Sequence, residues 1–153
     1  MDYSIIRGGF KSLNNSEITG SFGVSGSTFF SGSVTMGGEL DTAENTIGGT
    51  LQQYTGITTT TDIDWSNGNY AEFTFGSGDE TLTFTDPTSI GASIFSLKVV
   101  QDGIGSRAIT WPSEVLWASG IAPTLSPPAL SIDLMYFTYD GTNYLGTFYL
   151  DFQ

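Results

Sequence analysis

A chain of 153 residues with 16 Asp and Glu against 4 Lys and Arg carries a formal charge of −12 at pH 7, and so lacks the basic footprint that holds nucleic-acid phosphates. It contains no Cys and no His, which removes disulfides, thiolate and imidazole metal sites, cysteine nucleophiles and the Ser-His-Asp triad together. Only 13% of its residues are charged while 14% are aromatic, unlike a disordered chain; scarce helix formers and abundant Thr, Phe, Tyr, Ile and Val predict an all-β protein.

Residues 1–17 read as a short polar leader holding two of the four cations, Arg7 and Lys11. From residue 12 to residue 97 there is no Lys or Arg, while ten acids fall there. That asymmetry fits a leader with a separate task, attachment, as well as a frayed terminus. The first residues lack the apolar stretch of a signal peptide, and no run reaches the roughly 18 apolar residues of a membrane span, so no membrane insertion is expected.

Residues 18–50 form the second part. Within 18–41 the chain reads ITGSFG, VSGSTF, FSGSVT, MGGELD. Gly20, Gly26, Gly32 and Gly38 recur every sixth position, Ile18, Val24, Phe30 and Met36 precede them by two, and Phe22, Thr28, Val34 and Leu40 follow them by two. A period of two held over 24 residues far exceeds an ordinary strand of about 5–6 residues. Fully extended it would reach roughly 75 Å, and one apolar row cannot shelter itself. Sister chains that wind together would bury the row Ile18, Gly20, Phe22, Val24, Gly26, Phe30, Gly32, Val34, Met36, Gly38, Leu40 on an axis, with glycines where the backbones crowd. A flexible linker would need no fixed apolar register; a set of short hairpins on the chain's own domain is the third possibility.

Residues 51–153 read as the head, an antiparallel β-sandwich of the jelly-roll or immunoglobulin-like kind. Predicted strands are 57–65, 70–75, 80–85, 93–101, 108–111, 131–139 and 143–152. Turn signals separate them at Asn67-Gly68, Gly76–Asp79, Asp86-Pro87, Asp102-Gly103 and Asp140-Gly141. The expected core sets Ile94, Leu97 and Val99 against Phe137, Tyr139 and Phe148.

Few residues suggest chemistry. Trp111 and Trp117 with Glu114 between them make a possible ligand loop, two flat faces and a hydrogen-bond acceptor for a sugar, but core plugs at a sandwich end or a subunit contact account for them better. Asp62 and Asp64 share a strand face, and Asp79-Glu80 is a second acidic pair, but two carboxylates fall short of the six to eight ligands of Ca²⁺. Sixteen acids also make a chance glycosidase-like pair easy to find. Lys98 and Arg107 flank the 101–106 turn and are placed to pair with acids. No catalytic residue, cofactor or metal site is expected.

The segment QDGIGSRAITWPSEVLWASGIAPTLSPPALSIDLMYFTYDGTNYLGTF resembles the C-terminal head domain of bacteriophage tail fibres and other virion appendages. The likeness rests on Gln101–Gly103, Thr110–Pro112, Trp117–Gly120, Pro123–Leu125 and Tyr139–Tyr144. The upstream GSFGVSGSTFFSGSV is similar to the Ser/Gly-rich shafts, including triple-stranded β needles, that precede such heads. The resemblance implies a homotrimeric virion protein, a small fibre or a capsid decoration protein. In it the leader would meet other virion proteins and the head would face outward, with a host-surface glycan as the alternative role of its loops.

Overall fold

In the computed structural model, which describes residues 51–56, 59–87 and 91–153, nine strands form two sheets. They are β1 (Leu51–Gly56), β2 (Thr60–Asp64), β3 (Tyr70–Phe75), β4 (Glu80–Thr85), β5 (Ser93–Val100), β6 (Ile109–Thr110), β7 (Val115–Trp117), β8 (Ile132–Tyr139) and β9 (Tyr144–Phe152). The leader and the axis-facing row from Ile18 to Leu40 lie outside the described residues.

The first six strands alternate between the sheets. β1, β3 and β5 lie side by side and parallel in the larger sheet, whose order is β1-β3-β5-β8-β9-β7, while β2, β4 and β6 make a parallel three-stranded sheet. Leu51 sits beside Tyr70 and Tyr70 beside Ser96; across the core, Thr60 sits beside Thr81 and Glu80 beside Ile109. The chain thus winds from one sheet to the other and returns one strand further along. β8 and β9 then run antiparallel to β5 and to each other, and β7 closes the far edge parallel to β9.

This corrects the expectation of an antiparallel, jelly-roll-like sandwich. The β-rich composition and most strand positions hold, but the strand directions do not. Only Asp140-Gly141 makes a hairpin turn, between β8 and β9. Asn67-Gly68, Gly76–Asp79, Asp86-Pro87 and Asp102-Gly103 are corners that carry the chain between sheets. A corner and a hairpin need the same residues, because both demand a tight reversal with local side-chain hydrogen bonds.

Strand alternation fixes the shared core. β3 turns in Ala71, Phe73 and Phe75, β4 Leu82 and Phe84, β5 Phe95, Leu97 and Val99, and β8 Met135, Phe137 and Tyr139; Ile63, Trp65 and Tyr144 join them. Trp65 stacks on Phe95 at 4.7 Å, and Phe84 of the smaller sheet meets Phe137 and Tyr144 of the larger edge-on at 5.3 and 5.0 Å. Each such ring is worth about 2–3 kcal/mol in burial, with a further increment for edge-to-face geometry. Ile94 corrects the expected core: it is 66% exposed, because its parity is opposite to that of Phe95, Leu97 and Val99.

Candidate functional site

The end of the unit where β5 stops and β8 begins is cross-braced by side-chain and backbone hydrogen bonds. Gln101 is buried and reads the backbone of Arg107 at both its atoms: its Nε2 donates to the Arg107 carbonyl and its Oε1 accepts from the Arg107 N–H, each at 2.9 Å. Asp102 Oδ1 accepts the N–H groups of Ile104 and Gly105 at 2.9 and 2.7 Å, and its Oδ2 accepts Arg107 Nε at 2.8 Å. The loop is tied to the 124–131 segment by Ser106 N–H to the Pro127 carbonyl, Leu130 N–H to the Asp102 carbonyl and Gln101 N–H to the Ser131 carbonyl. Asp140 repeats the Asx device at the other end, accepting Thr142 and Asn143 N–H groups at 2.9 and 2.8 Å.

Asp133, which neither composition nor spacing singles out, is the most deeply buried acid among the described residues. It is 1% exposed and accepts three hydrogen bonds: from Ser126 N–H at 2.8 Å, the Ser126 hydroxyl at 2.6 Å and Asp151 N–H at 2.9 Å. One carboxylate therefore fastens both the 124–131 segment and the irregular end of β9 to β8. The signal was present in the parity of β8, which aligns Ser131 and Asp133 with the inward-facing Met135 and Phe137. Beside this anchor, Pro127, Pro128, Leu150 and Asp151 help line an open concavity of about 490 Å³.

Trp111 and Trp117 come together, edge to face at 5.1 Å, and both lean on Phe137 at 6.4 and 5.9 Å; Trp117 also meets Phe148 at 5.9 Å. The Trp117 indole N–H is buried with no acceptor among the described residues. Glu114, between the two in the chain, is half-buried, with its carboxylate accepting from Ser113 and its carbonyl from Tyr144 N–H. The rings therefore pack on the core more than they face solvent. Trp117 lies so close over Gly146 that a Cβ there would meet its ring at 2.7 Å. Gly146→Ala is expected to push Trp117 off this seat at a cost of about 1–3 kcal/mol, read as a changed tryptophan emission spectrum together with a lowered urea midpoint.

The remaining acids are dispersed. Asp62 and Asp64 do share a face, but Asp62 accepts the hydroxyls of Thr83 and Thr85 at 2.7 and 2.8 Å, whereas Asp64 caps the 3-10 turn Trp65–Asn67 through Ser66 N–H. Asp79 accepts Ala108 N–H, while its neighbour Glu80 turns inward to Thr61. Lys98 pairs with Glu72 and Arg107 with Asp102, each at 2.8 Å. Among the described residues no group of three or more acids is placed to hold a metal ion, and no helix is long and apolar enough to cross a membrane.

Hydrogen bonds from Ser66 hold the Asp64 carboxyl below its ordinary range; the Gly105 N–H, with Arg107 and Ile104, does so for Asp102, and the Asn143 and Thr142 N–H groups for Asp140. Burial pushes the Tyr144 hydroxyl well up, and Asp86, whose Oδ1 accepts it at 2.7 Å, pushes it further. For a carboxylate lowered on folding, the stabilising contribution is complete above the unfolded value near 4 and is lost as pH falls through the folded value. The thermal midpoint is therefore expected to hold between pH 7 and about 5 and to fall steadily below about 4; a midpoint constant down to pH 2 would contradict the role of these three carboxylates.

The chain matches no family model, no curated protein sequence and no solved structure.

Proposed function

We propose that this protein is a structural component of a bacteriophage particle, a homotrimeric small fibre or capsid decoration protein that works by assembly and adhesion without a chemical step. In this reading residues 1–17 attach to other virion proteins and residues 18–50 form a β arm whose row from Ile18 to Leu40 is enclosed by sister chains. Residues 51–153 form a sandwich-like head that faces outward.

The observation that carries the reading is the use made of the residues behind the resemblance. Gln101 and Asp102 clamp their loop, Leu125 is buried, Trp111 and Trp117 seal a core edge, Asp140 fixes the β8–β9 turn, and the Tyr144 hydroxyl ties the start of β9 to Asp86. Their chemistry is spent on holding a rigid framework, which suits a part selected for mechanical persistence. Carbohydrate recognition at Trp111, Glu114 and Trp117 gains no support from the geometry, since the indoles commit themselves to each other and to Phe137.

Mass spectrometry of density-purified particles released by cells that carry the gene tests the proposal. The chain is expected among the particle proteins in copy numbers divisible by three; its absence from the particles would overturn the reading.

A further inference from the structure

The six-stranded sheet has one face on the core and one without a partner among the described residues. In register across β5, β8, β9 and β7, Ile94, Thr138, Leu145 and Leu116 form a row that is exposed at every position. Below it Tyr136 and Tyr149 meet edge-on at 6.0 Å, and Phe152 is exposed at the far end. Ile94, Leu116, Leu145 and Tyr149 are 66, 49, 47 and 61% exposed. Tyr70 and Leu51 are exposed on the same face, and an apolar patch of more than a few hundred Å² on a protein surface marks an interaction site.

Charge selects the occupant. The chain carries −12, yet apart from Asp151 at the irregular end of β9 the strands bring only Glu72 and Lys98 to this face, and these two neutralise each other at 2.8 Å. Among the described residues, Asp62, Asp64, Asp79 and Asp86 lie instead on the smaller sheet and in the corners. Two copies of so acidic a chain repel each other over most approaches and can meet where neither contributes net charge. A basic partner would be drawn to the acidic surfaces instead.

We infer that the outer face of the six-stranded sheet, centred on the Ile94–Leu145–Leu116 row, is a contact between copies of this chain. The inference rests on the homotrimer reading and assigns that assembly a face in the head, in addition to the arm.

A chain without cysteine allows a direct test. Ile94→Cys and Leu145→Cys place single thiols on the face, and Thr110→Cys places one on the exposed side of the smaller sheet. Each full-length variant is reacted with a maleimide under native conditions, and its molar mass is measured in parallel. The two face thiols are expected to react at least tenfold more slowly than the Thr110→Cys thiol, in a trimer. A trimer whose face thiols react as fast as the control overturns this inference and leaves the threefold reading standing. Slow face thiols in a dimer support the face and overturn the threefold reading, and fast thiols in a monomer overturn both.

Discussion

Gly105→Ala is expected to cost the head at least about 3 kcal/mol, enough to lower its melting temperature by more than about 12 °C. Gly105 has φ +80°, a left-handed conformation that L side chains resist. An added Cβ would also overlap the Pro127 carbonyl oxygen and lie 2.7 Å from Ala129 N and 2.9 Å from Pro128 C. All three are backbone atoms, so no side chain can swing aside. Relief requires parting the loop from the 127–131 segment, which breaks the Ser106–Pro127 and Leu130–Asp102 backbone hydrogen bonds together. Gly103→Ala is the internal control: nothing lies within 4 Å of its would-be Cβ, and a change within about 0.5 kcal/mol is expected. Urea melts of the two variants side by side check the contrast, and equal stabilities would contradict the packing of this loop.

Asp133→Ala is expected to cost about 3 kcal/mol. It strands the Ser126 N–H and hydroxyl, both buried, and leaves the Asp151 N–H at their partly buried edge without its acceptor, and each unsatisfied buried donor costs about 1–3 kcal/mol. The damage should be local in character: amide exchange at Ser126 and Asp151 should accelerate more than exchange in β3 or β5. Asp133→Asn should recover only part of the loss, because its amide nitrogen would face one of the donors. Glu72→Gln is the contrasting case. It removes a partly exposed ion pair worth less than about 1 kcal/mol, so a loss as large as that of Asp133→Ala would mean that charge pairing, and not satisfaction of buried donors, holds the head together.

The sequence could be read furthest where side chains act on their own neighbours. Tyr70–Phe75 and Glu80–Thr85 alternate so regularly that the expected and observed strand limits coincide, and Asp102 and Asp140 make the local turns their Asp-Gly pairs announce. Direction was illegible, because alternation is the same whether a neighbouring strand runs parallel or antiparallel. β1 escaped notice because its inward row opens with Gln52, a polar residue satisfied in the interior by the Gly68 carbonyl and the Tyr54 hydroxyl. β7 has three residues, Val115–Trp117, too few to show a period. In the candidate site Trp111 and Trp117 were seen as a pair, and their pairing is observed, but which way an indole turns depends on Gly146 and Phe137, distant in the chain and invisible to spacing. Asp133 and the apolar row through Ile94 both follow from strand parity, which residue type alone does not reveal.

Whether identical copies cover apolar surface that one chain cannot shelter is decided by the molar mass of the purified full-length protein, measured by light scattering at micromolar concentration. The expected mass is three times the 16.3 kDa of the chain, maintained on dilution. A stable particle of one chain mass, with Ile94 and Leu145 open to solvent, would contradict it.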